Sequence, residues 1–334
     1  MLLMKMKMMN QTSNPWNLIQ SPIEDVSARR IDHTHPLDLF WGKDGIGRYL
    51  FIFEFPGEVD ISVNNIPEIT GIQFEIYQNK QGKDLKRLVY LLKDKEDWEI
   101  FLALCNDIIL STRKANNAKS AIQSMVNRLR HWQDFLKKSR QEILSEEEIK
   151  GLIGELLFLI RYLVPSFGIE QAVRYWQGPE GLPQDYNVDN SAIEVKCRSS
   201  ATPIINISSM EQLCSQLEDL FLFVVTLGKT APEAEGAINL PSLITKLREE
   251  INFHCPVAID RFNDLIYLTG YIDSDRYLDF SYVLSKENMY QVTDAFPRIC
   301  RKDLHPGIVK LTYSINLDEC APFEKYPDWI SLKK

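Results

Sequence analysis

Cysteine is sparse in this chain. The six present, Cys105, Cys197, Cys214, Cys255, Cys300 and Cys320, include no Cys-x-x-Cys pair. With no such pair and no secretory leader ahead of them, a reducing cytoplasm is expected, and most of the six should be core thiols. The opening Met1–Met9 run is broken by Lys5 and Lys7 and lacks a small-residue cleavage site, so no secretory leader is expected. Long apolar runs are missing too: no stretch approaches the roughly 18 residues of a membrane span, so no membrane partner is expected. Positive charge is in short supply, with 38 Lys and Arg against 46 Asp and Glu and a net charge of −8. Non-specific coating of nucleic acid needs many neutralised phosphates, so any DNA contact must be local or lent by a partner.

Familiar site signatures are absent as well. The five histidines, His33, His35, His131, His254 and His305, fit no metalloprotease or zinc-finger spacing. Asp32-His33-Thr34-His35 reads as an exposed loop. No Gly-x-Ser-x-Gly elbow anchors a serine hydrolase. Gly42-Lys43-Asp44-Gly45-Ile46-Gly47 lacks the Gly-Lys-Ser/Thr ending of a phosphate loop and precedes a strand, so it reads as a turn. What remains is a globular chain of 334 residues, 45% apolar and 25% charged, long enough for two or three cores.

Residues up to about 94 read as β-rich, with strands over 48–55, 72–77 and 87–92. Two helices follow, 97–110 and 118–140. The second sets Ile122, Met125, Val126, Leu129, Trp132 and Leu136 on one stripe, with Arg128, Arg130, Lys137, Lys138 and Arg140 opposite. That basic side is by default a solvated face; the alternative is contact with phosphate through Arg128 and Lys137. A third helix, 145–163, is apolar on nearly every side, and Glu155 is its one acid past the first turn. A buried carboxylate needs a cation, a basic partner or a proton, so Glu155 is either half of an interhelical ion pair or a site acid. Extended runs around 172–176, 185–188, 192–197 and 204–207 come next. A helix capped at Ser208 or Ser209, with Glu211 or Gln212 at the capping-box position, should then lead into the apolar strand 220–227. Beyond 229 a helix near 240–251 and several strands are expected, the last at 307–313. The expected domains are 1–142, a β-rich part with two helices; 143–232, a core; and 233–334, an α/β extension.

The chemistry-bearing pattern is Pro183-Gln184-Asp185 followed by Glu194-Val195-Lys196. In a strand, Glu194, Lys196 and Arg198 share one face while Ile193, Val195 and Cys197 share the other. A hairpin through Asp189-Asn190-Ser191 brings Asp185 beside Glu194, where two carboxylates repel unless a cation sits between them. Oxygen ligands of this kind suit Mg²⁺ or Mn²⁺. Acid-any-Lys also occurs at Asp84-Leu85-Lys86 and Glu148-Ile149-Lys150. The first lies in a turn, and the second in a helical first turn that Ser145 caps.

The order of elements around Glu155, Asp185, Glu194 and Lys196 resembles the core of the PD-(D/E)xK nucleases, with Pro-Asp stretched here to Pro-Gln-Asp. A longer span, from the aromatic N-terminal strands through Gly151-Leu152-Ile153-Gly154-Glu155 to Asp294-Ala295-Phe296-Pro297-Arg298-Ile299, is similar to a bacterial group of PD-(D/E)xK motif proteins encoded beside restriction-modification and phage-defence components. The resemblance implies an α/β (α+β) fold, a restriction-endonuclease-like mixed sheet core in the order αβββαβ. It implies Mg²⁺ or Mn²⁺ held by Asp185 and Glu194, with the Val195 carbonyl and Glu155 completing the shell. Lys196 would orient the attacking water. Arg198 matches no fixed position in those proteins, but the charged strand face makes it a candidate phosphate contact. DNA is the implied substrate, with restriction or defence proteins and a second copy of the chain as implied partners. The rivals are a nuclease fold that no longer cuts and serves as a DNA-recognition or scaffold subunit, and a β-rich interaction module with a coincidental Glu-x-Lys.

Overall fold

A computed structural model describes residues 14–61, 65–78, 84–113, 115–138, 143–199 and 201–330. The chain divides into two compact units, 1–142 with 272–274, and 143–271 with 275–334. The fold is mixed α+β, with several sheets.

The first unit holds a five-stranded antiparallel sheet of order β1-β2-β3-β5-β4, made by β1 (Val26–Arg30), β2 (Asp38–Asp44), β3 (Tyr49–Pro56), β4 (Ile72–Gln78) and β5 (Leu85–Leu92). It gains two strands, β1 and β2, that the alternation did not reveal; Gly42 to Asp44 end β2, and the turn follows. Two helices complete the unit, α1 (Trp98–Thr112) and α2 (Ala118–Lys138). His35 is buried and not in an exposed loop, with its Nε2 2.9 Å from the Ile109 carbonyl oxygen. The basic side of α2 also departs from expectation. Arg128 meets Asp107 of α1 through Nε–Oδ2 at 2.7 Å and Nη2–Oδ1 at 2.8 Å, and both side chains are mostly buried. Trp132 Nε1 donates to the same carboxylate at 2.9 Å. Arg128 therefore serves as a structural interhelical partner, because a buried Asp107 requires a paired charge, and it is withdrawn as a DNA contact. The side chains of Lys137 and Lys138, and Arg140 entirely, lie outside the described residues.

In the second unit the order β10-β9-β7-β6 forms a mixed sheet from β6 (Tyr186–Val188), β7 (Ser191–Arg198), β9 (Asp219–Lys229) and β10 (Tyr282–Gln291). β7 and β9 run parallel; the other pairs are antiparallel. The strand β8 (Ile204–Ile207) leaves this sheet and pairs with β11 (Tyr313–Asn316). Alternation along β9 explains the layering. Phe221, Phe223, Val225 and Leu227 enter one core, against α3 (Glu146–Phe158) and α5 (Leu240–His254). Leu220, Leu222 and Val224 enter a second core with Ile205, Ile207, Leu213 and Ile315. An apolar strand covered on both faces is the expected tenant of a sheet centre. Residues beyond 233, expected as an extension, supply β10 to this sheet and α5 to its core.

Local chemistry sets the ends of α3. Ser145 accepts from the Glu148 N–H while the Glu148 carboxylate accepts from the Ser145 N–H, a complete capping box. At the far end the helix widens into a π turn, Leu159–Leu163, where the Val164 N–H reaches back to the Leu159 carbonyl. Pro165 next to it has no N–H to give, which favours such a local rewinding. Three expectations fail here. Residues 172–175 are not extended but belong to α4 (Ile169–Tyr175), marked by the i,i+4 pair Glu170–Arg174 at 2.7 Å, and only Trp176 is extended, bridged to Tyr186. The helix expected after Ser208 is a single 3₁₀ turn, Met210–Leu213, with no side-chain cap from Ser209. The strand expected at 307–313 is instead β11, beginning at Tyr313. One further α-helix, α6 (Ile259–Leu268), follows α5.

Most of the six cysteines are expected as core thiols; Cys214 and Cys300 instead form a disulfide with Cα atoms 5.9 Å apart. Their separation of 86 residues hides the pairing from any reading of cysteine spacing.

Candidate active site

Four elements position the acids and the lysine. Glu155 sits in the last turns of α3; its neighbour Gly154 packs so close to β7 that a Cβ there would lie 2.3 Å from Cys197 Sγ. The glycine lets helix and strand approach, and this sets the depth of Glu155. Tyr186 at the start of β6 donates its hydroxyl proton to the Glu155 backbone carbonyl at 2.8 Å, and Trp176 Nε1 donates to Glu155 Oε2 at 2.6 Å. Both rings are fully buried. Asp185 precedes Tyr186, which pairs with Ile193; continuing that register by one residue sets Asp185 across from Glu194. Its Oδ2 accepts from the Val195 N–H at 2.7 Å. The Asp185 carbonyl takes the N–H groups of Gln177 and Gly178, both at 2.9 Å, and a Cβ on Gly178 would approach Asp185 Oδ1 to 2.8 Å. Glu194 and Lys196 lie beside Leu222 and Val224 in the parallel register, on the face of the second core. Glu194 is 1% exposed and Lys196 16%, with Lys196 Nζ 2.6 Å from Glu194 Oε1.

Three acids share this region with one ammonium, and burial weighs on all of them. Burial and the charge of Asp185 push the Glu155 carboxyl up to about 8, against the pull of Trp176 and Lys196. Burial raises Asp185 to about 6, although Lys196 and the Val195 N–H favour its anion. Glu194 is held well above the usual carboxylate range by burial and by Asp185. For Lys196, burial opposes the charge, but Glu194, Asp185 and Glu155 outweigh it and hold the ammonium above the ordinary lysine value. The group as a whole retains protons near neutrality, because three carboxylates face one cation.

The expectation that Asp185, Glu194 and Glu155 close around one ion is not met in that form. Among the described residues no group of three or more His, Cys, Asp or Glu side chains is placed to hold a metal ion. The reason is visible in the partners: Glu194 takes the Lys196 ammonium, Asp185 takes the Val195 N–H, and Glu155 takes the Trp176 indole. Val195, expected to lend its carbonyl, engages the site through its N–H. One oxygen is left over. Glu194 Oε2 is buried with no hydrogen-bond partner, a costly state for a carboxylate and one that a cation or a proton would relieve. An all-oxygen donor set of this kind fits a hard divalent ion. Arg198 follows on the same strand face, half-buried, with Nη1 donating to the Thr202 carbonyl and Nε without a partner.

Residues 11–318 match the family described as "Putative PD-(D/E)XK family member, (DUF4420)". The chain belongs to this family. Neither the curated proteins nor the solved structures give a match. The family assignment agrees with the resemblance to the PD-(D/E)xK nucleases. Trp176, Tyr186 and Gln184 escaped the sequence reading. Gln184 is buried, and its Nε2 donates to the Glu211 carbonyl at 2.6 Å, fixing the residue before Asp185 to the 3₁₀ turn Met210–Leu213. Its insertion between Pro183 and Asp185 was the signal available.

Proposed function

We propose that the protein is a metal-dependent DNA endonuclease, a subunit of a bacterial restriction or anti-phage defence system. The observation that carries this reading is the orphaned Glu194 Oε2 among three proton-retaining acids, on the strand that also presents Lys196. Asp185 and Glu194 would hold Mg²⁺ or Mn²⁺, with Glu155 and the Val195 carbonyl as further oxygens. When bound, such an ion neutralises phosphate charge and supplies a nucleophilic water at neutral pH. Lys196, released from Glu194, would orient that water and stabilise the charge that develops on the phosphate. Trp176 and Tyr186 hold Glu155 in place from two sides, and Arg198 is the candidate phosphate contact on the same strand. A double-strand cut would call for two copies of the chain or a partner subunit. A cytoplasmic location, where DNA is met, would place the Cys214–Cys300 pair under reducing conditions.

The second reading is a nuclease fold that recognises DNA or scaffolds a complex without cutting. The Lys196–Glu194 ion pair favours it, since the ammonium occupies a carboxylate oxygen that catalysis would require. Plasmid DNA incubated with Mg²⁺ and wild type, Lys196→Ala or Asp185→Ala, alone and with candidate partner subunits, separates the readings. The endonuclease nicks or linearises the plasmid only as wild type. Equal cleavage by all three refutes the assigned site, and no cleavage by any leaves the recognition subunit.

A further inference from the structure

Residues 294–310 carry Arg298, Arg301, Lys302 and Lys310 against Asp294 and Asp303, within a chain of net charge −8. Asp294 pairs with Arg298 at 2.8 Å and with Lys302 at 3.4 Å, the second an open pair of two exposed side chains for which a phosphate can compete. This reversal of sign is local, and the segment has a defined shape. Arg301 folds back so that Nη1 donates to the Ile308 carbonyl and Nη2 to the Pro306 carbonyl at 3.0 Å, closing the segment into a compact loop. The Asp303 carboxylate is engaged by the Cys300 N–H at 2.9 Å. At the tip Val309 is 86% exposed, with exposed Ile308, His305 and Lys310 around it. The apolar tip is followed directly in the chain by a cation, Lys310.

The base of the loop is pinned to the segment that positions the acids. Cys300 is bonded to Cys214, Arg298 Nη1 donates to the Leu213 carbonyl at 3.0 Å, and Thr312 Oγ1 donates to the Ser208 carbonyl at 3.3 Å. The same 208–214 stretch receives Gln184, the neighbour of Asp185. Loop and acid therefore share one anchor.

We propose that the 298–310 loop grips duplex DNA beside the acids, with Lys302 and Lys310 on phosphates and Val309 pressed into the minor groove. The assignment rests on the endonuclease reading for its choice of polymer; charge complementarity and the apolar tip supply the rest, since phosphate contacts set register while an inserted apolar side chain unstacks and bends a duplex.

Fluorescence anisotropy of a labelled duplex, measured in EDTA across a salt series, tests it without involving cleavage. Lys302→Ala/Lys310→Ala should weaken binding by on the order of tenfold and lower the salt slope by about 1.8, two phosphates at about 0.9 each. Val309→Ser should weaken binding without changing that slope, and should reduce duplex bending read by end-to-end energy transfer. Lys246→Ala, an exposed lysine on α5, is the control. Wild-type affinity in the double variant, an equal loss in the control, or no duplex binding by wild type would each overturn the proposal. Binding that depends on the loop with no cleavage by any protein would sink the endonuclease reading alone; cleavage with binding indifferent to the loop would sink the loop alone.

Discussion

At the scale of single residues, the site is governed by where protons reside. Glu155 has an ordinary value of 4.5 and stands at about 8 in the folded chain, so the folded state holds its proton more tightly than the unfolded one. The resulting stability is fully present below about pH 4.5 and is lost as pH rises through about 8. Asp185, raised from 3.8 to about 6, adds to the loss at lower pH. Thermal melts in EDTA should therefore show stability declining from pH 5 to pH 9, with Glu155→Gln flattening the decline by on the order of a few kcal/mol. A Glu155→Gln profile that tracks wild type would place this carboxyl in water. The identities of Asp185, Glu194 and Lys196 were legible because alternation in an apolar strand separates side chains by face. Their hydrogen-bond partners were not, since the Trp176 indole and the Val195 N–H reach them only through the fold.

Between elements, the contact of α3 with β7 decides where Glu155 stands. A methyl group at Gly154 would overlap Cys197 Sγ at 2.3 Å and press on Val195 Cγ1 at 3.3 Å, so helix or strand must shift. Gly154→Ala should destabilise the chain by about 1–3 kcal/mol, the usual cost of overpacking, and impair any activity that depends on Glu155. Cys197→Ala in the same chain removes the nearest obstacle and should recover most of the loss. Absence of recovery would mean that the helix is held off the strand by something else. Elements with strong periodicity or capping signals, α2, α3 and β9, were readable from sequence. α4 was not, because Ile169, Val173 and Tyr175 alternate with Glu170 and Arg174 as the residues of a strand would, and only the Glu170–Arg174 pair marks a helix. Near 208, serines and acids suggested a capped helix; the structure uses Gln212 Oε1 to accept the Ser208 N–H and stops after one 3₁₀ turn.

At the scale of the molecule, two units with separate sheets arise from one acidic chain, and the second gathers every candidate site residue except Arg128 and Lys137. Its second core is stapled by Cys214–Cys300, which closes a loop of 86 residues. Loop-closure entropy puts that restraint at about 4.6 kcal/mol, so thiol reductant should lower the melting temperature by on the order of 10 °C. A melt indifferent to reductant would show the two sulfurs unjoined. The sheet order could not be read from sequence, because β10 joins β9 across more than fifty residues and β8 leaves the sheet for β11. Whether the buried acids form a cation site is tested most directly by calorimetric titration with Mn²⁺ near pH 7 in buffers of different ionisation enthalpy. A cation site there requires saturable binding that releases protons from the acids and is abolished by Asp185→Asn and by Glu194→Gln. Binding without proton release, binding that survives both substitutions, or no binding by wild type would contradict it.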